Sequence, residues 1–306
     1  MATSMLKKIV LYSTAFLAIS FAVWYTFIAL KPAPLAVSQI IPAYDYAPID
    51  LSSVASTQVD SNTYEISFPS FDGSLVKGQI SYPTSCSNNC PVVVGISAMG
   101  RNYNRWWIDS WKGRPTVTNV NKIGSAVLEN GYALVAIDAR YHGSRKDPSK
   151  TLRSIMNDMI FFGDKSSYEE MIVNTAKDYR ILLDWLESNS RLDSKKITVM
   201  GYSMGGQLSL LLGSIDPRVS QIVSIVPPYL DDKVALVAPK NVVPRIDDET
   251  NILLLTSDDD ENATNAQNLE LYDAITSKHK RHVVYEGSHI LPDSYVDEVL
   301  GWLKAG

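Results

Sequence analysis

From residue 91 onward, short apolar runs alternate with longer amphipathic stretches, and this alternation restricts the possible folds more than any other feature of the chain. The runs are PVVVGIS, YALVAIDA, KITVMGYS, SQIVSIVP, NILLLTS and RHVVYEG; the stretches are TNVNKIGSAVLENG, SYEEMIVNTAKDYRILLDWLESN, GGQLSLLLGS, NAQNLELYDAITSK and DSYVDEVLGWLKAG. Continuous runs rich in Val, Ile and Leu suit strands buried on both faces, and the stretches between them carry helical spacing. Such repeated order specifies an α/β domain with a mainly parallel central sheet and helices on both faces. Upstream, TYEISFPSFDGSLVKGQISYP reads as two alternating strands around a turn at Asp72 and Gly73, a hairpin leading into the domain. Between the sixth strand and the next lie only residues 229–248, room for a small cap at most.

The amino-terminal region is different. From Ile9 to Leu30, 22 positions carry no charge, with Lys7 and Lys8 before them and Lys31 after. As a helix this run spans about 33 Å, enough for the hydrocarbon core of a bilayer. A buried core helix would be less uniformly apolar. A cleaved signal peptide would have a shorter apolar centre, and KPAPLAVSQ offers no clean small-x-small cleavage site. Residues 1–31 therefore read as a single-pass transmembrane signal anchor with the lysines cytoplasmic and the rest outside. Cleavage and secretion is the alternative. Residues 32–60, with several Pro and Ser and no sustained period, read as a linker, and residues 61–306 as the α/β domain.

The two cysteines agree with an extracytoplasmic, periplasmic or extracellular, location. Cys86 and Cys90 share a Pro-, Ser- and Asn-rich loop with no further Cys or His nearby, so a small disulfide in an oxidising compartment is favoured over a metal site. A net charge of −5 offers no basic face for nucleic acid.

Ser203 lies in VMGYSMGGQLSL, between Gly201 and Gly205, where a strand run ends and a helical stretch begins. A tight strand-turn-helix corner of this kind exposes the serine hydroxyl and aims the free N–H groups of the following helix toward it. A serine hydroxyl needs a base to take its proton and an acid to orient that base. Of the four histidines, His279 and His282 fall at a helix end and a strand start, whereas His289 follows the last strand in YEGSHILPD, on the same edge as Ser203. His142, in DARYHGSRK, also follows a strand and is the competitor. For the acid, NILLLTSDDDENA ends a strand with Asp258, Asp259, Asp260 and Glu261, after the serine and before the histidine.

On GYSMGG, the acidic and histidine loops and DARYHGS, the chain from about residue 62 resembles the α/β-hydrolases, in layout the dienelactone-hydrolase-like and prolyl-oligopeptidase-like serine hydrolases. The resemblance implies acyl transfer to water by Ser203, His289 and Asp260, without metal or organic cofactor. Asp260 is favoured over its neighbours because SDDD places it where the family carries its acid. DARYHGS matches a segment that is mostly structural in the family, which lowers His142. Where the family often has His-Gly, this chain has GISAMGRN; the backbone N–H groups of Met99 and Met204 are the expected oxyanion donors, with Ala98 as an alternative to Met99. The insertion RNYNRWWIDSWKGRP leaves the same strand, and Trp106, Trp107 and Trp111 are expected to line an acyl- or ring-binding wall. An esterase is favoured over a peptidase or amidase, since no propeller domain is present and Met204 replaces the Tyr common in the peptidase elbow. A catalytically silent, membrane-tethered binding domain is the alternative of another class. The triplet Asn262, Ala263, Thr264 matches a glycosylation sequon.

Overall fold

In the computed structural model, which describes residues 2–305, the expected hairpin consists of β2 (Thr63–Pro69) and β3 (Leu75–Ser81), joined antiparallel. A further strand, β1 (Ala55–Asp60), extends it antiparallel at the edge. The apolar runs form β4 (Cys90–Ile96), β7 (Ala133–Ile137), β8 (Leu192–Tyr202), β9 (Val219–Ile225), β10 (Asn251–Ser257) and β11 (Lys280–Tyr285). Together these strands make one nine-stranded sheet in the order β1-β2-β3-β7-β4-β8-β9-β10-β11. The sheet is parallel from β7 to β11 and antiparallel before it. A separate two-stranded ribbon, β5 (Ser110–Trp111) with β6 (Arg114–Pro115), stands in the tryptophan-rich insertion.

The helices are α1 (Ala2–Phe27), α2 (Val37–Ile40), α3 (Val120–Glu129), α4 (Leu152–Phe162), α5 (Ser166–Ser188), α6 (Met204–Ile215), α7 (Asn265–Ala274) and α8 (Tyr295–Ala305). Strand periodicity divides the core between the two faces of the sheet. In β8, Ile197 and Val199 join a cluster with α5 and α6, while Met200 and Tyr202 join one with α3 and α8. Residues 229–248 form short 3₁₀ turns that bury Val234, Val237, Val242 and Val243 against the domain. Helix α4 has no counterpart among the helical stretches expected from sequence.

Residues 32–60 are not a linker. Ile40 and Tyr44 are fully buried, the Tyr44 hydroxyl donates to Leu236 O (3.0 Å), and Arg180 donates to Tyr44 O (2.9 Å). With β1 paired to β2, this segment belongs to the folded domain. Its apolar contacts come from a short irregular path, which leaves no periodic signal to read.

Within α1, Met5–Phe27 is 23 residues long, apolar and unburied by the rest of the chain, long enough to cross a membrane. The helix stops three residues short of Leu30 and is held beside α4 by a hydrogen bond from Trp24 Nε1 to Phe161 O (2.7 Å). Cys86 and Cys90 form a disulfide at the start of β4.

Candidate active site

The close approach of backbone segments fixes the corner at Ser203. A Cβ on Gly201 would lie 2.1 Å from Gly205 O, and one on Gly205 would lie 2.1 Å from Ile96 O, so larger residues at either place would force β8, α6 and β4 apart. Ser203 itself adopts φ 58°, ψ −118°, a sparsely populated conformation for a non-glycine residue, and its N–H is tied to Ile225 O (2.8 Å). The result is a partly buried serine at the carboxyl end of β8 with α6 starting immediately after it. The first N–H groups of α6, beginning with Met204, have no acceptor inside the helix and stand beside the serine.

The loops after β10 and β11 bring two further side chains to this point. His289 Nε2 lies 2.9 Å from Ser203 Oγ, and His289 Nδ1 lies 2.8 Å from Asp260 Oδ2. The Asp260 side chain is 2 % exposed and that of His289 15 %, so the carboxylate is shielded while the imidazole edge remains reachable. Asp258 and Asp259 do other work: Asp258 Oδ1 accepts the Gly287 N–H (2.9 Å), and the Asp259 N–H donates to Gly287 O (3.0 Å). These bonds lace the acidic loop to the histidine loop.

Two contributors escape sequence reasoning. Tyr202 donates its hydroxyl to His289 O (2.7 Å) and accepts from Leu291 N–H (3.0 Å), and its ring meets the imidazole edge to face at 6.0 Å. Burial raises its pKa to about 12, so the phenol stays a donor. Asn262 gives Asp260 Oδ1 two bonds, from its backbone N–H (2.8 Å) and its amide (3.1 Å). The only signals for these roles are sequence adjacency to Ser203 and to Asp260, and in a sequence Asn262 is as readily a sequon.

The remaining histidines serve other partners. His142 is fully buried; its Nδ1 donates to Arg140 O (2.6 Å), and its Nε2 has no partner among the described residues. Burial lowers its pKa to about 4. His282 pairs with Thr256 Oγ1 (2.8 Å), and His279 faces Glu249 at the surface.

The tryptophans require a correction. Trp106 is wholly buried in the core, its ring seated where a Cβ on Gly95 would fall, and it lines no open surface. Trp107 is half-buried, donates its indole N–H to Ser81 Oγ (2.9 Å) and packs edge to face on Tyr103. Trp111 borders an open cavity. An insertion so rich in large apolar rings buries some of them because burial of aromatic surface is strongly favourable. The segment after β4 passes against the serine corner, with Ser97 O 3.2 Å from where a Cβ on Gly205 would stand; Ala98 and Met99 follow directly. Among the described residues no group of His, Cys, Asp and Glu side chains is arranged to hold a metal ion.

A mostly parallel sheet with a serine corner at the end of one strand and histidine and carboxylate loops after later strands defines the class of α/β-hydrolases. The chain belongs to the dienelactone hydrolase family, whose model matches residues 108–289, and is an esterase-type serine hydrolase. Similar solved structures include two acetyl xylan esterases. The one from a Paenibacillus species is 16 % identical (TM-score 0.69, covering 90 % of this chain and 97 % of that one). The one from a Thermoanaerobacterium species is 18 % identical (TM-score 0.70, covering 90 % and 95 %). A putative dienelactone hydrolase from Klebsiella pneumoniae is 13 % identical (TM-score 0.62, covering 80 % and 98 %). At these identities the likeness is one of fold. No curated protein sequence matches the chain.

Proposed function

We propose that the protein is a membrane-anchored, extracytoplasmic carboxylesterase that works through an acyl-enzyme on Ser203. The observation that carries this reading is the unbroken hydrogen-bond chain from Ser203 Oγ through His289 to Asp260. His289 Nε2 takes the hydroxyl proton as Oγ attacks the ester carbon, and the carbonyl oxygen becomes an oxyanion held by backbone N–H groups at Met204 and at Met99 or Ala98. Asp260 keeps the Nδ1 proton in place and balances the imidazolium. The imidazolium gives its proton to the departing alcohol. Water then repeats the sequence on the acyl-enzyme, returning the serine and releasing the acid.

The anchoring part of the reading rests on α1, which is apolar and unburied along Met5–Phe27, and the extracytoplasmic part on the lysines before it and on the Cys86–Cys90 disulfide. Steady-state hydrolysis of a panel of p-nitrophenyl esters and aminoacyl anilides tests the chemistry. Ester turnover that is lost in Ser203→Ala is expected. Turnover of anilides in preference to esters would replace the esterase by an amidase.

A further inference from the structure

Beyond α1 and the residue that follows it, the large apolar side chains left exposed among the described residues stand singly along the sequence, Val59, Leu75 and Leu269 among them, except for one run. Ile160, Phe161 and Phe162 are 49, 56 and 69 % exposed and make the last turn of α4. The helix buries a different stripe: Leu152, Ile155, Met156 and Met159, at helical spacing, pack on the core. Opposite that stripe the first two turns present Ser154 and Asn157, and in the last turn Phe161 takes up the same outward position. An outer face that is polar along its length and apolar at its tip calls for a partner at the tip.

The tip meets the end of α1. Trp24 Nε1 donates to Phe161 O (2.7 Å), an acceptor that the last turn of a helix leaves free. Gly163 closes α4 in the left-handed region (φ 67°), and Ile28 O occupies the space a Cβ there would need. Phe21 and Trp24 of α1 line one cleft with Met159 and Ile160 of α4. Trp24, Tyr25 and Lys31 also mark the depth of the span, because aromatic rings and a lysine at the end of an apolar helix settle at the level of the lipid headgroups. Lys31 Nζ reaches back over the Tyr25 ring, 3.6 Å from its centre. The chain has no slack beyond that level. Six residue steps separate Phe27 from Ala33, whose N–H donates to Asp232 O (2.9 Å), so this part of the domain stands within about 22 Å of the end of α1.

We propose that the last turn of α4, residues 160–162, docks into the phospholipid interface at the level where α1 ends, giving the hydrolase domain a second point of attachment beside its anchor. The claim rests on the reading of α1 as a membrane span. Continuity with that span selects lipid over a second copy of the chain as the occupant, since the exposed run lies where an apolar helix meets the headgroups. A net charge of −5 offers no general attraction to anionic lipid, so burial of the three apolar side chains carries the contact. Two points of attachment hold the domain in one orientation on the membrane, where a single tether would let it swivel.

The test reads depth at single positions of the full chain, reconstituted one per nanodisc in phosphatidylcholine. Cys86 and Cys90 are joined, so the cysteine introduced by Phe162→Cys, Ile19→Cys or Ser125→Cys is the one that takes a nitrobenzoxadiazole label. Ile19 lies within α1, and Ser125 is exposed on α3, across the sheet from α4. Quenching by nitroxide-bearing lipids should place the label at position 162 about 5–10 Å into the headgroup–acyl boundary, place that at 19 deeper, and leave that at 125 unquenched. With Ile160→Ser and Phe161→Ser added, the label at 162 should lose most of its quenching. Quenching at 19 but not at 162 overturns the docking and keeps the anchor; quenching at neither overturns both. Quenching at 162 without quenching at 19 keeps the docking face and removes the anchor. Quenching at 162 that survives the two serines, or is matched at 125, belongs to the dye and overturns the proposal. A blue shift at 162 without lipid quenching, found only in discs that hold two chains, overturns it as well and gives the face to a second copy.

Discussion

His289 and His142 both follow strands at the carboxyl edge of the sheet, and their surroundings separate them completely. His289 has a buried carboxylate on one nitrogen and a partly buried serine on the other. His142 has a backbone carbonyl on one nitrogen and, among the described residues, no partner on the other, in full burial. An imidazole acts as a base only where its cation is stabilised; a site that denies it a counter-charge and water holds it neutral. Strand-end position alone therefore says little about function, and the partner groups decide it.

The largest expected effect falls on the first environment. Ser203→Ala or His289→Ala should lower kcat by about 10⁴- to 10⁶-fold while leaving the thermal midpoint near that of the parent, as read by ester kinetics beside calorimetry. Asp260→Asn comes next, at roughly 10⁴-fold in kcat with KM little changed, since the amide cannot hold the Nδ1 proton and balance the imidazolium. Tyr202→Phe should cost about tenfold in kcat, because Leu291 N–H loses its acceptor and the histidine loop its tether. A Tyr202→Phe enzyme with parental kcat would show that the loop needs no such support.

The smallest kinetic effect belongs to His142, where the signature is pH-dependent stability instead. With a pKa near 4 when folded against 6.5 when free, His142 takes up its proton in the unfolded chain first. Stability is thus full above pH 6.5 and falls by about 3 kcal/mol as pH drops from 6.5 to 4. His142→Gln should flatten that part of the curve in urea titrations and keep kcat within about tenfold of the parent. An unaltered acid limb in the variant would remove His142 as the source.

Much of this site was legible in the sequence because the requirements are local. Gly201 and Gly205 announce a corner where backbones touch, and Ser203, Asp260 and His289 follow strand-forming runs whose parallel order brings their ends to one edge. The features that escaped depend on tertiary contacts. Ile40 and Tyr44 enter the core from an irregular segment, Trp106 fills space left by Gly95, and Asn262 turns back onto Asp260.

The central claim, that Ser203 is a nucleophile activated by His289 and not by His142, is tested most directly by fluorophosphonate labelling followed by peptide mass spectrometry. The account predicts one label per chain on Ser203, formed at a similar rate in the parent and in His142→Gln and at least about 10³-fold more slowly in His289→Ala. Labelling at another residue, or an equal rate in His289→Ala, would contradict it.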